Sequence, residues 1–320
     1  MSMVATPAEG HQPVMVEEVM QALSPIPGSS HVDATLGGGG HAVRILEASA
    51  PDGRLLGLDA DPAAVARCAL RFATYGDRVV LRQANFAALG AVAAAARFER
   101  VDGILIDLGL SSFQLADTDR GFSFRADGPL DLRFDQGRDQ PASALLAELD
   151  ERALGGLLRT YGEEPQAARI ARAIVAERRS GPIRTADQLA AIVQRVAPGS
   201  RRGRRRIHPA TRTFQALRIA VNRELDVLPV ALATAVELLR PGGRLVVLAY
   251  HSLEDRIVKR FLAAERRGCT CPPEVPICVC GRSPRLRAIG PRPAFPSTDE
   301  VVRNPRARSA RLRASERLAA

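Results

Sequence analysis

A strand, a run of four glycines and a helix follow one another early in the chain, and this order constrains the fold more than any other feature. The first strand-like segment carries Asp33 and breaks into Gly37–Gly40, and a second strand-like run, Leu55–Leu58, ends at Asp59. Glycine lets the backbone approach a ligand closely because it has no Cβ. A carboxylate about 20 residues downstream is suited to binding ribose hydroxyls. The pattern predicts an α/β fold that opens with a site for an adenosine-containing cofactor.

The chain is strongly basic, and this favours a polyanionic partner. Its 320 residues include 45 Lys and Arg against 35 Asp and Glu, a formal net charge of +10, and such a surplus is typical of proteins that bind nucleic acid. The single lysine, Lys259, is not in a G-x-x-x-x-G-K-[ST] motif, so a P-loop enzyme is excluded. Neither a membrane-length apolar run nor a signal-peptide core in Met1–Pro13 is present. We therefore expect a cytoplasmic protein without a membrane partner, whose cysteines are reduced.

Strand-like and helix-like segments alternate, which predicts a mostly parallel sheet. The gap between the fourth and fifth strands is too long for one crossover and carries helical patterns, including a capping box at Thr185 and Gln188. We therefore predict a discontinuous sheet domain over residues 1–140 and 208–320, with an inserted α-helical subdomain over 141–207. Residues 285–320 are expected to be irregular chain with one or two edge strands. The candidate strands are His31–Ala34, Arg54–Leu58, Val79–Gln83, Val101–Asp107 and Arg244–Tyr250.

Two cofactor classes fit the glycine run. Residues 37–42 satisfy G-x-G-x-x-A, so a nicotinamide-dependent oxidoreductase remains an alternative. Asp33, however, suits a cationic methionine ammonium and would repel a pyrophosphate. Phe86 follows the third strand, where an aromatic ring can cover an adenine, and Asp107 ends the fourth strand, where ligands of open α/β sheets bind. Together these residues favour S-adenosylmethionine.

Longer motifs make the chain recognisable, and from His11 to Arg317 it resembles the ribosomal RNA small subunit methyltransferase H family, also called MraW. The resemblance implies a class I S-adenosylmethionine-dependent methyltransferase fold, Rossmann-like, with an inserted helical subdomain. It also implies methyl transfer to the N4 amine of a cytidine in the decoding region of 16S ribosomal RNA. The motifs are His-Gln-Pro-Val at 11–14, the glycine run, Asp-Leu-Gly-Leu-Ser-Ser at 107–112, Arg-Gly-Phe-Ser-Phe at 120–124, Gly-Pro-Leu-Asp at 128–131, Tyr-Gly-Glu-Glu at 161–164, His-Pro-Ala-Thr-Arg-Thr-Phe-Gln-Ala at 208–216, His-Ser-Leu-Glu-Asp-Arg at 251–256 and Asn-Pro-Arg-Ala-Arg-Ser at 304–309.

The resemblance also implies which residues contact the cofactor and which partner is bound. The partner would be 16S ribosomal RNA or the small ribosomal subunit, and the chain would act as a monomer or a homodimer. A non-catalytic RNA-binding assembly factor remains the second alternative. Carried over motif by motif, the cofactor contacts are Gly39, Gly40, His41, Asp59, Phe86, Asp107 and Gln114.

Candidate groups for the chemistry at the base follow the fourth and fifth strands. The Asn/Asp-Pro-Pro-aromatic motif of many amino-group methyltransferases is absent, and Asp107 occupies the corresponding place, so we expect it to bind cofactor and to polarise the amine. His251 could accept the departing proton, or it could pack beside the helix that it introduces. Phe122 and Phe124 could sandwich a flipped base, or they could belong to the core.

Two further clusters stand out. Five arginines lie within Arg201–Arg206, and we expect them to clamp RNA phosphates rather than to read sequence. Four of the five cysteines lie within twelve residues, as Cys269-x-Cys271 and Cys278-x-Cys280. Four thiolates could bind zinc, but the Cys-x-Cys spacing is tighter than the usual Cys-x-x-Cys, and we therefore predict no metal site.

Overall fold

A computed structural model of the chain describes residues 12–123, 127–138, 140–197, 208–272, 274, 277 and 279–319. These residues contain seven strands in one sheet of order β3-β2-β1-β4-β5-β7-β6. The first five strands are parallel to one another, and β7 runs antiparallel to both of its neighbours. The strands are β1 Ser30–Asp33, β2 Arg54–Asp59, β3 Val79–Gln83, β4 Val101–Asp107, β5 Leu239–Ala249, β6 Leu286–Ala294 and β7 Arg311–Arg317.

Helices connect the parallel strands and form a separate group between β4 and β5. No helix in the described part of the chain is long and apolar enough to cross a membrane. The helices are α1 Val16–Leu23, α2 Gly40–Ala48, α3 Pro62–Arg71, α4 Leu89–Ala95, α5 Ser112–Ala116, α6 Ala142–Glu148, α7 Glu151–Gly162, α8 Ala167–Glu177, α9 Ala186–Val196, α10 Thr211–Asn222, α11 Glu224–Leu238, α12 Ser252–Arg267 and α13 Thr298–Arg303.

The sheet is covered on both faces, as expected for parallel strands. Alternate side chains of a strand point to opposite faces, so Ile104 of β4 packs in one apolar cluster and Leu105 in the other. Helices α4, α11 and α12 contribute to the first cluster, and α1, α2 and α3 contribute to the second. The α/β class and the mostly parallel sheet predicted from the sequence are therefore confirmed.

The chain divides into two compact units, residues 1–111 with 225–320, and residues 112–224. The first contains the sheet. In the second, α7 packs against α8 and α10, and α8 packs against α9. The second unit begins earlier and ends later than the insertion predicted over 141–207, because the chain already leaves the sheet after β4 and because α10 packs on α7.

The C-terminal region differs from the sequence-based expectation. Residues 285–320 were expected to supply only edge strands, but β7 is an inner strand that separates β5 from β6. Its buried apolar residues, Leu312 and Ala314, belong to the second of the two apolar clusters. A strand that pairs on both sides with distant segments gives little local signal, since its partners are fixed by tertiary packing.

An ion-pair cluster joins β7 to the start of α12. The Asp255 carboxylate accepts hydrogen bonds from Arg313 Nε at 2.7 Å and from Arg311 Nη1 at 2.9 Å. Burial raises the pKa of Asp255, but the hydrogen bonds from Arg313 and Arg311 more than offset this, and the pKa lies below its usual value. The cluster therefore stabilises the fold at pH values above the usual carboxyl pKa, and this stabilisation is lost as the pH falls through the lowered pKa of Asp255.

We expect Asp255→Ala to lower the free energy of unfolding by about 2 kcal/mol, because two guanidinium groups lose a charged acceptor and Arg311, which is half-exposed, is partly screened by solvent. Urea denaturation at neutral pH measures the loss. Asp299→Ala is the matched control, since Asp299 lies in the first turn of α13 but is exposed. Equal losses in the two variants would show that the cluster contributes nothing specific.

Candidate cofactor and methyl-transfer site

Three carboxylates meet at the carboxyl edge of the sheet. Asp33 ends β1 and pairs in register with Gly57 of β2 and Leu105 of β4. Asp59 and Asp107 each lie two residues beyond those partners, at the ends of the two neighbouring strands. The parallel register thus brings together the three acidic residues that the sequence analysis singled out, at the edge where open α/β sheets bind ligands.

The glycine run lies between β1 and α2 and cannot accept larger residues at its last two positions. Gly39 caps α2 in the left-handed region with a φ of 73°, and a Cβ there would lie 2.6 Å from Cζ of Phe72. A Cβ on Gly40 would lie 2.7 Å from Cγ of Pro13. The backbone of this turn therefore packs closely against Phe72 and Pro13. Helix α2 begins directly at Gly40, and its second residue, His41, is buried.

Asp59 ties this turn to the end of β2. One carboxylate oxygen accepts a hydrogen bond from the Gly37 amide at 2.7 Å, and the other accepts one from the Asp61 amide at 2.9 Å. Each carboxylate oxygen has two lone pairs, so both oxygens retain acceptor capacity for a ligand hydroxyl. Asp59 therefore has a structural role in the turn that the spacing alone did not reveal.

Both the carboxylate and the backbone amide of Asp107 form hydrogen bonds with residues at the same edge of the sheet. Its carboxylate accepts hydrogen bonds from the Tyr250 hydroxyl, at the end of β5, and from the Gly109 amide at 3.2 Å. Its own amide donates to Thr35 Oγ1 at 2.6 Å, and the Thr35 amide donates to Asp33 at 3.2 Å. The ends of β1, β4 and β5 are thereby linked through Thr35 and Asp107.

All three carboxyl groups have raised pKa values. Burial raises the pKa of Asp33 to about 7, and the nearby charges of Asp107 and Asp59 add to this. Burial likewise raises the pKa of Asp59 to about 6 and that of Asp107 to about 6, although hydrogen bonds oppose the shift. A cationic ligand would favour the ionised forms, whereas a pyrophosphate would raise these pKa values further. The site therefore fits the ammonium and sulfonium of S-adenosylmethionine better than a dinucleotide.

The other predicted contacts fall in different surroundings. Phe86 follows the end of β3 in a turn capped by Asn85, is partly exposed, and packs with its remaining surface on the core. Gln114 is buried on α5, in the second unit. Phe122 is buried in that unit and stacks on Phe134 with ring centroids 5.8 Å apart, which agrees with the core alternative. Phe124 and the arginine run Arg201–Arg206 lie outside the described residues.

His251 has the structural role that the sequence left open. It is the N-cap residue of α12, its Nδ1 accepts from the Glu254 amide at 3.4 Å, and its Nε2 lies 2.9 Å from Glu254 Oε1. Glu254 in turn accepts from the amides of Tyr250 and His251 at 2.8 and 3.2 Å. This reciprocal arrangement is a capping box formed through Nδ1. The Nε2 atom is buried beside Glu254 Oε1 but makes no hydrogen bond within the described part of the chain.

Two residues of the site were missed by sequence reasoning. Tyr250 was assigned only as the end of a strand, although an aromatic hydroxyl at the carboxyl edge is a usable signal. Arg71 on α3 donates from Nη1 to the Gly38 carbonyl at 2.6 Å, a contact that depends on how α3 packs and has no local signal.

The profile of the MraW methylase family matches residues 8–318. The chain belongs to this family. It is 57% identical over 309 residues to the ribosomal RNA small subunit methyltransferase H of Thermomicrobium roseum, covering 97% of this chain and 94% of that protein. A protein of the same description from Dehalococcoides mccartyi is 51% identical, with coverage of 96% and 86%. A solved rRNA methylase from Streptococcus thermophilus is 11% identical, has a TM-score of 0.41, and overlaps 95% of this chain and 94% of that one.

Membership confirms the family identified from the sequence motifs, together with the Rossmann-like fold and S-adenosylmethionine as cofactor. The MraW methylases are S-adenosylmethionine-dependent, and the three carboxylates described above fit the cationic charge of this cofactor. A nicotinamide-dependent oxidoreductase is therefore excluded.

We expect Asp59→Ala to weaken S-adenosylmethionine binding at least tenfold. The variant removes a charged acceptor for ribose hydroxyls, which should cost roughly 1.5–3 kcal/mol, and it also removes the acceptor that orders Gly37. Isothermal titration calorimetry at pH 8 measures the change. Asp77→Ala, at an exposed position before β3, is the control, and unchanged affinity in Asp59→Ala would contradict the ribose assignment.

Proposed function

We propose that the chain transfers the methyl group of S-adenosylmethionine to the N4 amine of a cytidine in the decoding region of 16S ribosomal RNA. The observation that carries this proposal is the half-buried Asp107 carboxylate at the end of β4, held by Tyr250 beside Asp33 and Asp59. The names of the relatives, ribosomal RNA small subunit methyltransferase H, support the RNA substrate. The net charge of +10 agrees with a polyanionic partner.

The chemistry demands an acceptor at this position. When bound, S-adenosylmethionine supplies an electrophilic methyl group on a positively charged sulfur. The N4 amine of cytosine is a weak nucleophile because its lone pair is delocalised into the ring, and it must lose a proton as the new N–C bond forms. A carboxylate that accepts a hydrogen bond from the amine stabilises the positive charge that develops on N4. Holding the amine in line with the methyl group and the sulfur lowers the activation barrier by a further large amount.

Asp107 is suited to this role by its pKa as well as by its position. A pKa of about 6 leaves the group ionised at neutral pH, yet makes it a stronger proton acceptor than an ordinary aspartate. The hydroxyl of Tyr250 and the amide of Gly109 fix the carboxylate, so little further entropy is lost when it binds the amine. We therefore infer that Asp107 both faces the cofactor and accepts the proton of the amine.

His251 is a weaker candidate for the proton acceptor. Nδ1 of His251 forms the capping box of α12, and Nε2 is buried 2.9 Å from Glu254 Oε1, so the ring would have to leave the cap to present a nitrogen to a substrate amine. We assign His251 a positioning role: it fixes Glu254, which accepts the Tyr250 amide and so orders the end of β5 beside Asp107.

The function is tested by nucleoside mass spectrometry of 16S ribosomal RNA. Cells that lack this protein should lose N4-methylcytidine from the decoding region, and the gene for the wild-type chain should restore it. The gene for Asp107→Asn serves as the matched control and should not restore it. Retention of the modification in the deletion strain would contradict the proposal, and loss of a different modified nucleoside would redirect it to another base.

The second candidate, a non-catalytic RNA-binding assembly factor, predicts a different result. In that case the deletion would impair subunit assembly, and Asp107→Asn would rescue as well as wild type. Purified protein distinguishes the two directly, because only an enzyme transfers labelled methyl groups to RNA. Running the assay with naked 16S RNA and with assembled small subunits also identifies which of the two is the substrate.

A further inference from the structure

Three cysteines come together in the segment that connects α12 to β6. The Sγ atoms of Cys269, Cys271 and Cys280 all lie within 4.8 Å of one another, and those of Cys269 and Cys280 are 3.8 Å apart. We propose that these three thiolates supply three of the four ligands of a structural zinc ion in this segment. Neither the MraW resemblance nor the chemistry of methyl transfer calls for such a site.

The sulfur separation suits a shared metal ion and not a disulfide. Two thiolates at about 2.3 Å from a tetrahedral zinc ion are about 3.8 Å apart, which is the separation of Cys269 and Cys280. A disulfide would require an S–S distance of about 2.05 Å. The three side chains are half-buried, so an ion has access to them from solvent.

Backbone amides provide a second, independent observation. The Thr270 amide donates to Cys280 Sγ at 3.5 Å, and the Val279 amide donates to Cys271 Sγ at 3.4 Å. The two hydrogen bonds run in opposite directions and hold residues 279–280 against residues 270–271. Donors aimed at sulfur stabilise its negative charge, which is what outer-shell groups do at metal–thiolate sites.

The two ends of the segment are joined at its base, and two of its apolar side chains are exposed. At the base, the Arg285 amide donates to the Glu265 carbonyl at 2.9 Å. A Cβ on Gly268, where φ is 71°, would lie 2.4 Å from the Pro284 nitrogen. Above the base, Ile277 and Val279 are 75% and 81% exposed. Where the described apolar side chains of a segment are this exposed, a metal can supply the stability that a hydrophobic core would otherwise give.

Thiolate ligands narrow the choice among the common ions to zinc and iron. Soft sulfur ligands with tetrahedral geometry favour zinc or iron–sulfur clusters over magnesium or calcium. Binding releases one proton from each coordinating thiol to solvent, and no oxidant or reductant is needed. The tight Cys-x-Cys spacing argued against a site in the sequence, but the structure turns the chain so that Cys280 lies against the first pair. Cys278 lies outside the described residues and is left unchanged in the test.

Metal analysis of the full-length protein tests the site. After reconstitution with zinc and removal of excess metal, wild type should retain about one zinc per chain, and Cys269→Ser and Cys280→Ser should each retain at least tenfold less at the same free zinc. Cys68→Ser is the matched control, because Cys68 is buried on α3, away from the cluster, and it should retain zinc as wild type does. Zinc-free wild type, or variants that keep their zinc, would overturn the proposal.

Two further readouts separate the metal site from misfolding and from iron. S-adenosylmethionine affinity should be the same in Cys269→Ser and wild type, which demonstrates a folded sheet unit. Cobalt substitution should give thiolate-to-metal charge-transfer absorption in wild type and in Cys68→Ser, and this absorption should be lost in the cluster variants. Stoichiometric iron with visible absorbance in the purified protein, or a Cys269–Cys280 disulfide found by mass spectrometry under reducing conditions, would contradict the zinc assignment.

Discussion

Asp107→Asn should lower the rate constant of methyl transfer about 100-fold or more, while the melting temperature stays the same or rises. Loss of a general base typically costs 10²- to 10⁴-fold, and an amide can accept a hydrogen bond from the N4 amine but cannot take its proton. The stability expectation follows from the pKa, because burial makes the ionised Asp107 unfavourable in the folded protein and raises its pKa to about 6. A neutral isostere removes that cost.

The measurement is a single-turnover assay with labelled S-adenosylmethionine and saturating RNA, together with a melting curve for each variant. Tyr250→Phe is the informative companion, since it keeps the carboxylate but removes a hydrogen bond that lowers the pKa of Asp107. Its turnover should exceed that of Asp107→Asn at pH 9, and the acid limb of its pH–rate profile should move to higher pH. Near-normal turnover of Asp107→Asn would mean that methyl transfer does not require this carboxylate.

The sequence was sufficient to predict the first four strands and the edge at which they end. Parallel strands buried on both faces read as short apolar runs, and the structure ends β2 and β4 at Asp59 and Asp107, where the patterns lead into polar residues. Once a parallel order was predicted, the meeting of Asp33 with these two residues followed from the geometry of a sheet, without knowledge of any side-chain contact.

The contacts that depend on tertiary packing were not predictable. Tyr250 and Asp107 are hydrogen-bonded, although the whole of the second unit separates them in the sequence. No hydrophobic periodicity of the sequence indicates such a contact. His251 gave no local signal that distinguished a base from a helix cap, because both roles place a histidine after a strand. The cysteines presented the same difficulty, since no local pattern indicates that Cys280 lies beside Cys269 and Cys271.

S-adenosylmethionine should bind about 100-fold more weakly at pH 5 than at pH 8. In the free protein the pKa of Asp33 is about 7, so its carboxyl group is mostly protonated at pH 5. A bound cation favours the ionised form and lowers this pKa, so binding must release a proton at low pH. For one group with a free pKa of about 7 and a bound pKa well below 5, linkage gives about a 100-fold change over this interval. Asp59 and Asp107, with pKa values of about 6, can only add to it.

Calorimetry in buffers of different ionisation enthalpy measures both the affinity and the proton release. Asp33→Asn is the matched variant: its affinity should vary much less between pH 6 and pH 8, because the group with the highest pKa of the three is gone. The cofactor-free protein provides a check of opposite sign. Since the folded pKa of Asp33 lies above its unfolded value, its contribution to stability is present below about pH 4 and lost as the pH rises through about 7. An affinity for S-adenosylmethionine that stays constant from pH 5 to pH 8 would mean that these carboxylates do not face the cationic part of the cofactor.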